Sequence, residues 1–83
     1  MLHESLQKAQ KVVIGIKQTT RALESKEVRM VFLAQDAEAK LLKPIREMCA
    51  AKGIPIEEVA TMKELGKACK IQVGAAAVAI LGG

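Results

Sequence analysis

The chain has 83 residues, room for one domain spanning 1–83 and too few for a second core. Its 51% hydrophobic and 27% charged residues exclude a disordered segment, and no apolar run approaches the roughly 20 residues that cross a bilayer. The formal net charge of +4 suits a polyanionic partner but identifies nothing by itself.

In chain order, residues 2–10 place Leu2, Leu6 and Ala9 at helical spacing. Their opening, MLHESLQKAQ, lacks the basic-then-apolar layout of a signal peptide. A brief strand, 11–14, ends at Gly15. Residues 17–25 (KQTTRALES) return to helical spacing. Residues 28–34 (VRMVFLA) form the clearest strand, a nearly unbroken apolar run that suits burial on both faces.

From 37 to 52, Leu41, Leu42, Ile45, Met48 and Cys49 make a helical stripe interrupted by Pro44. Proline removes a donor and crowds the preceding turn, so a break is expected near Lys43, with Pro44 opening a second short helix. Lys52-Gly53 is a helix stop. Residues 54–59 are extended, and Pro55 favours a sheet edge. Thr61, with Glu64 three residues on, caps a helix over 62–68. Residues 75–81 form a last strand, expected to be central because it carries no charge. This alternation predicts an α/β fold, a three-layer α/β/α sandwich around a small mixed four-stranded sheet.

Charge is unevenly placed. Residues 11–30 hold Lys11, Lys17, Arg21, Lys26 and Arg29 against Glu24 and Glu27, whereas 54–66 hold Glu57, Glu58 and Glu64 against Lys63. The basic stretch contains the most informative segment, Gly15 to Arg21, which joins a strand to a helix. No Ser, Thr, Asp or Asn stands at the cap, so the first helical N–H groups lack a side-chain acceptor that an anion would supply. Lys17 and Arg21, four apart, share a face with Gln18 between them. Arg and Gln form paired hydrogen bonds to purine edges, and Lys serves phosphate as a point charge. The bland alternative is a solvated helix start. A second segment, 70–74 (KIQVG), is either the entry of a core strand or an apolar lip on which an unstacked base rests.

Taken together, GIKQTTRALE (15–24), VFLAQDAEAK (31–40), PIREMCAAKGIP (44–55), LGKACKIQVG (65–74) and AAAVAIL (75–81) resemble, in order and spacing, the kink-turn-recognising ribosomal-protein family whose archaeal member is called L-seven-Ae, and its small bacterial relatives in particular. The resemblance covers nearly the whole chain. It implies binding to sharply bent RNA helices built on tandem sheared G·A pairs. Carried over by position, Gly15 permits close backbone approach, Lys17, Gln18 and Arg21 meet guanine edges and phosphates, and Thr19 adds a polar contact. Ile71, Gln72 and Val73 pack beside the base extruded at the bend, and Asp36 and Lys40 lend supporting contacts. Archaeal members usually have Asn-Glu in place of Lys17-Gln18 and Lys in place of Arg21. They are also longer, so affinity and the preference among kinks are expected to differ.

The expected partner is an RNA containing a kink-turn, ribosomal or regulatory, with the ribosome as one setting. No cofactor, metal or membrane is expected, and the free protein is expected to be a cytoplasmic monomer. The scarcity of aromatics, Phe32 alone, argues against stacking-based readers of single strands. Three other readings compete with this one. A ubiquitin-like carrier is suggested by Gly82-Gly83, but those glycines follow an apolar strand without a mobile tail. An enzyme finds no catalytic set with His3 the only histidine and Cys49 and Cys69 far apart. A protein-interaction module or homo-oligomer without specific RNA binding stays open.

Overall fold

The computed structural model describes residues 11–25 and 27–82; the helix expected over 2–10 lies outside them. Four strands, β1 (Val12–Ile14), β2 (Val28–Ala34), β3 (Ile56–Val59) and β4 (Ala77–Leu81), alternate with three helices, α1 (Ile16–Ser25), α2 (Ala39–Lys52) and α3 (Met62–Ala68). The sheet order is β1-β4-β2-β3. β4 pairs antiparallel with β1 and β2, and β2 pairs parallel with β3. The uncharged last strand is central and the Pro55 strand is an edge, as their sequences required.

The alternation of side chains along β2 divides the core into two. Val31 and Leu33 join Ala22 and Leu23 of α1 and Leu42, Ile45 and Cys49 of α2 on one face. Phe32 and Ala34 join Val59, Leu65, Val78 and Ile80 on the other, beneath α3. Helices therefore lie on both faces of one sheet, giving the expected three layers. The two cysteines belong to opposite faces, and burial pushes both thiols up from their ordinary range.

Helix α2 departs from its expected form: it runs unbroken through Pro44. The proline is its sixth residue, so the amide it lacks would have bonded the carbonyl of Lys40, which lies in the exposed first turn. The stripe on this helix is also narrower than its sequence suggested. Leu42, Ile45 and Cys49 are buried, but Leu41 is 50% exposed. The helix closes at Gly53, whose N–H donates to the Cys49 carbonyl. Two side chains anchor it to its surroundings. Lys52 Nζ donates to the Leu23 carbonyl at the end of α1, and Arg46 pairs with Glu58 of β3 through two hydrogen bonds of 2.5 and 3.1 Å. That pairing holds the Glu58 carboxyl below and the Arg46 guanidinium above their usual ranges, although both stay solvated enough that the pair adds no more than about 1 kcal/mol.

Candidate functional site

The sheet register gathers the candidate residues at one end of the molecule. Ile14, the last residue of β1, is opposite Val78 near the start of β4. Gly15 N–H donates to the Ala77 carbonyl at 2.8 Å, and Ala34 N–H, closing β2, donates to the Ala76 carbonyl at 3.0 Å. Gln35 N–H reaches the carbonyl of Val59, the end of β3, at 2.7 Å. The ends of three strands and the start of the fourth therefore coincide. The segments that leave or enter them carry Gly15 to Arg21, Asp36 to Lys40, and Ile71 to Val73, forming one rim.

On the first segment the chain turns directly from strand to helix at Gly15, with φ at +113°, a conformation that side-chain-bearing residues rarely adopt. A Cβ there would also stand 2.5 Å from Gln18 Oε1, so the glycine leaves room for the Gln18 amide to fold back over the turn. The first intrahelical bond runs from Thr19 N–H to the Gly15 carbonyl at 2.9 Å. The amides of residues 16 to 18 thus have no acceptor within the helix, and no acidic residue lies in its first turn. Lys17, Gln18 and Arg21 are exposed around this electropositive end.

Thr19 stands apart from them. It shares the inner face of α1 with Ala22 and Leu23, is 0% exposed, and its Oγ1 has no hydrogen-bond partner among the described residues. The polar contact expected of it is a correction: the hydroxyl is enclosed in the core and is not presented on the rim. An unpaired buried hydroxyl costs stability, and valine has the same branched shape without it. Thr19→Val should therefore raise folding stability by about 1 kcal/mol. A thermal melt checks this, and a lowered melting temperature would mean that the hydroxyl is satisfied after all.

Asp36 has a structural task. Its Oδ1 accepts a hydrogen bond from Met62 N–H at 2.8 Å, while Thr61 Oγ1 accepts from Glu64 N–H at 3.0 Å. Both side chains cap the start of α3, and Asp36 ties the turn after β2 to that helix. Lys40 is exposed in the first turn of α2.

Ile71 to Val73 form a lip folded back over α3. Ile71 N–H donates to the Gly66 carbonyl and Lys70 N–H to the Lys67 carbonyl, which closes α3 with paired 6→1 and 5→2 bonds. Ala75 N–H then donates to the Met62 carbonyl at 3.0 Å. Gly66 is the seat of the lip: a Cβ on it would collide with the Val73 carbonyl and lie 3.1 Å from Gly74 Cα. Ile71 packs against the core beneath α3, Gln72 is exposed, and Val73 is 71% exposed, which leaves its isopropyl group open to solvent. Between the lip and α3 is a cleft of about 290 Å³ lined by Lys63, Lys67 and residues 71–74. The sequence alone does not mark those two lysines as a site. Their spacing of four was visible, but nothing in it told that the following loop doubles back beside them.

The chain was compared with known proteins. The model of the ribosomal protein L7Ae/L30e/S12e/Gadd45 family matches residues 2–82. "RNA-binding protein YbxF" of Geobacillus stearothermophilus is 48% identical over 81 residues, covering 98% of this chain and 99% of that protein. "RNA-binding protein BH0128" of Halalkalibacterium halodurans is 49% identical over 80 residues, covering 96% and 98%. Among solved structures, the Giardia lamblia 15.5kD RNA binding protein superposes with a TM-score of 0.82 at 21% identity, over 89% of this chain and 62% of that one. A protein of unknown function from Bacillus halodurans superposes with a TM-score of 0.80 at 22% identity, over 93% and 77%. These two likenesses concern the fold.

Proposed function

The chain belongs to the ribosomal protein L7Ae/L30e/S12e/Gadd45 family, and from that premise we propose that it binds structured RNA and stabilises kink-turns built on tandem sheared G·A pairs. The observation that carries the reading is the start of α1: three amides without an intrahelical acceptor, no acidic residue in the first turn, and Lys17, Gln18 and Arg21 exposed around them. That surface offers donors to phosphate and to purine edges at the same place. The names of the two close relatives support an RNA partner.

Recognition proceeds in three parts. The Gly15 turn and the exposed amides bring the backbone against the sugar–phosphate chain. Gln18 and Arg21 make paired hydrogen bonds to the exposed edges of the G·A pairs, and Lys17 neutralises phosphate. The lip at Ile71 and Val73 receives the apolar face of the base displaced at the bend. By binding the bent form better than a straight duplex, the protein draws the RNA's own equilibrium toward the kinked form. The RNA is ribosomal or regulatory, and the setting is cytoplasmic.

The test is a titration of a kink-turn duplex carrying a fluorophore at each end, beside a control whose G·A pairs are replaced by Watson–Crick pairs. Tight binding with end-to-end compaction is expected for the kink-turn alone. Equal binding to both would reduce the activity to general attraction by a basic surface, and no binding to either would favour the protein-interaction reading.

A further inference from the structure

The cleft between α3 and the lip has two unlike walls. Ile71 and Val73 supply apolar surface, while Lys63 and Lys67, four apart on one face of α3, supply two ammonium groups. Both lysines are exposed, and neither has an ion-pair partner among the described residues. Helix stability alone explains Lys67, which lies in the last turn where the helix dipole favours a cation. It does not explain Lys63, which lies in the first turn where the dipole disfavours one.

A second misfit lies beside the cleft. The residue after Cys69, the C-cap of α3, must take a left-handed conformation for the closing pair of hydrogen bonds, and glycine is the usual occupant. Here Lys70 takes it, with φ at 62°, the only positive-φ residue other than glycine among those described. A side chain held in that region costs free energy, and such strain concentrates where a side chain has a function. Two lysines thus line the cleft, and a third, Lys70, directly precedes its lining residue Ile71; Lys63 and Lys70 occupy positions that local stability disfavours.

Building on the RNA-binding reading above, we infer that this cleft is a separate phosphodiester-binding site, in which Lys63, Lys67 and Lys70 hold the backbone phosphates flanking the base that rests on Ile71 and Val73. The start of α1 reads the paired edges. The α3 cleft secures the unpaired stretch of the same strand, where no base edge is offered in a fixed pattern and only charge and apolar contact serve.

The experiment is the salt dependence of binding to the labelled kink-turn duplex. Each neutralised phosphate contributes about 0.7–0.9 to the slope of log affinity against log salt. Lys63→Gln with Lys67→Gln is therefore expected to make the slope shallower by roughly 1.5, while saturating protein still compacts the kink. Lys63→Arg with Lys67→Arg should restore it. Lys70→Gly should lower the slope by about one more phosphate without lowering the melting temperature. A wild-type slope in either neutralised variant overturns the assignment of the lysines it lacks. The RNA reading fails separately: wild-type protein would then bind the Watson–Crick control as well as the kink-turn, whatever the lysine variants do.

Discussion

Gly66→Ala is expected to destabilise the protein by about 2–3 kcal/mol, although alanine is the better helix former. In an open helix interior the exchange would gain up to about 1 kcal/mol. Here the added methyl meets the Val73 carbonyl and the Gly74 Cα, both backbone atoms that cannot swing aside as a side-chain tip would. Relief requires lifting the lip. Lifting it breaks the Ile71–Gly66 and Ala75–Met62 hydrogen bonds, each worth about 1 kcal/mol net, and exposes part of Ile71, which is worth a similar amount. The sum exceeds the gain in propensity. For a domain of this size the loss corresponds to a fall in melting temperature on the order of 10–20 °C. Amide hydrogen exchange should show the loss of protection concentrated at residues 71 and 75. A melting temperature equal to wild type would mean that the lip is not seated on α3 as described.

Gln18→Ala and Arg21→Ala are each expected to weaken kink-turn binding by about 1–3 kcal/mol, the range for a paired contact to a base edge. The corresponding rise in dissociation constant is roughly 5- to 150-fold. Both side chains are exposed, so neither variant should melt appreciably below wild type. Affinity and stability are thereby separated. Lys17→Ala is expected to behave differently: with its ammonium proposed to serve phosphate, the loss should appear mainly as a shallower salt dependence shared by kinked and control RNA. Wild-type affinity in both the Gln18 and Arg21 variants would remove the start of α1 from the recognition surface.

Much of this was legible in the residues themselves, for identifiable reasons. β2 announces itself because its last four residues, 31–34, are buried on both faces, leaving no place there for alternation with polar groups. α3 is announced by Thr61, whose hydroxyl receives the Glu64 amide as its spacing requires. Pro44 misled because its effect depends on where the helix starts, a boundary that sequence marks poorly; two residues' difference at the start put it close enough to the end to be tolerated. Thr19 misled for another reason. Polar type suggested a surface role, but the direction of a helical side chain follows from what packs beneath it, and α1 turns residues 19, 22 and 23 toward the sheet. Asp36, expected beside the ligand, is engaged by an amide 26 positions away, and Gly66 is essential because of a loop seven residues later. Such long-range partners have no local signature.

The floor under α1 has its own consequence. Where the central strand passes beneath that helix its side chains are the methyl groups of Ala77 and Ala79, both fully buried with Ala22 and Leu23. These methyls set the height at which the helix rides, as shims set the height of an instrument, and Gly15 is bonded to the carbonyl of the first of them, Ala77. The aim of Lys17, Gln18 and Arg21 is therefore adjusted from inside the protein. On the proposed reading of the start of α1, relatives with identical exposed residues are expected to differ in their preference among bent RNAs wherever this hidden layer gains or loses a methylene, because that would tilt the helix.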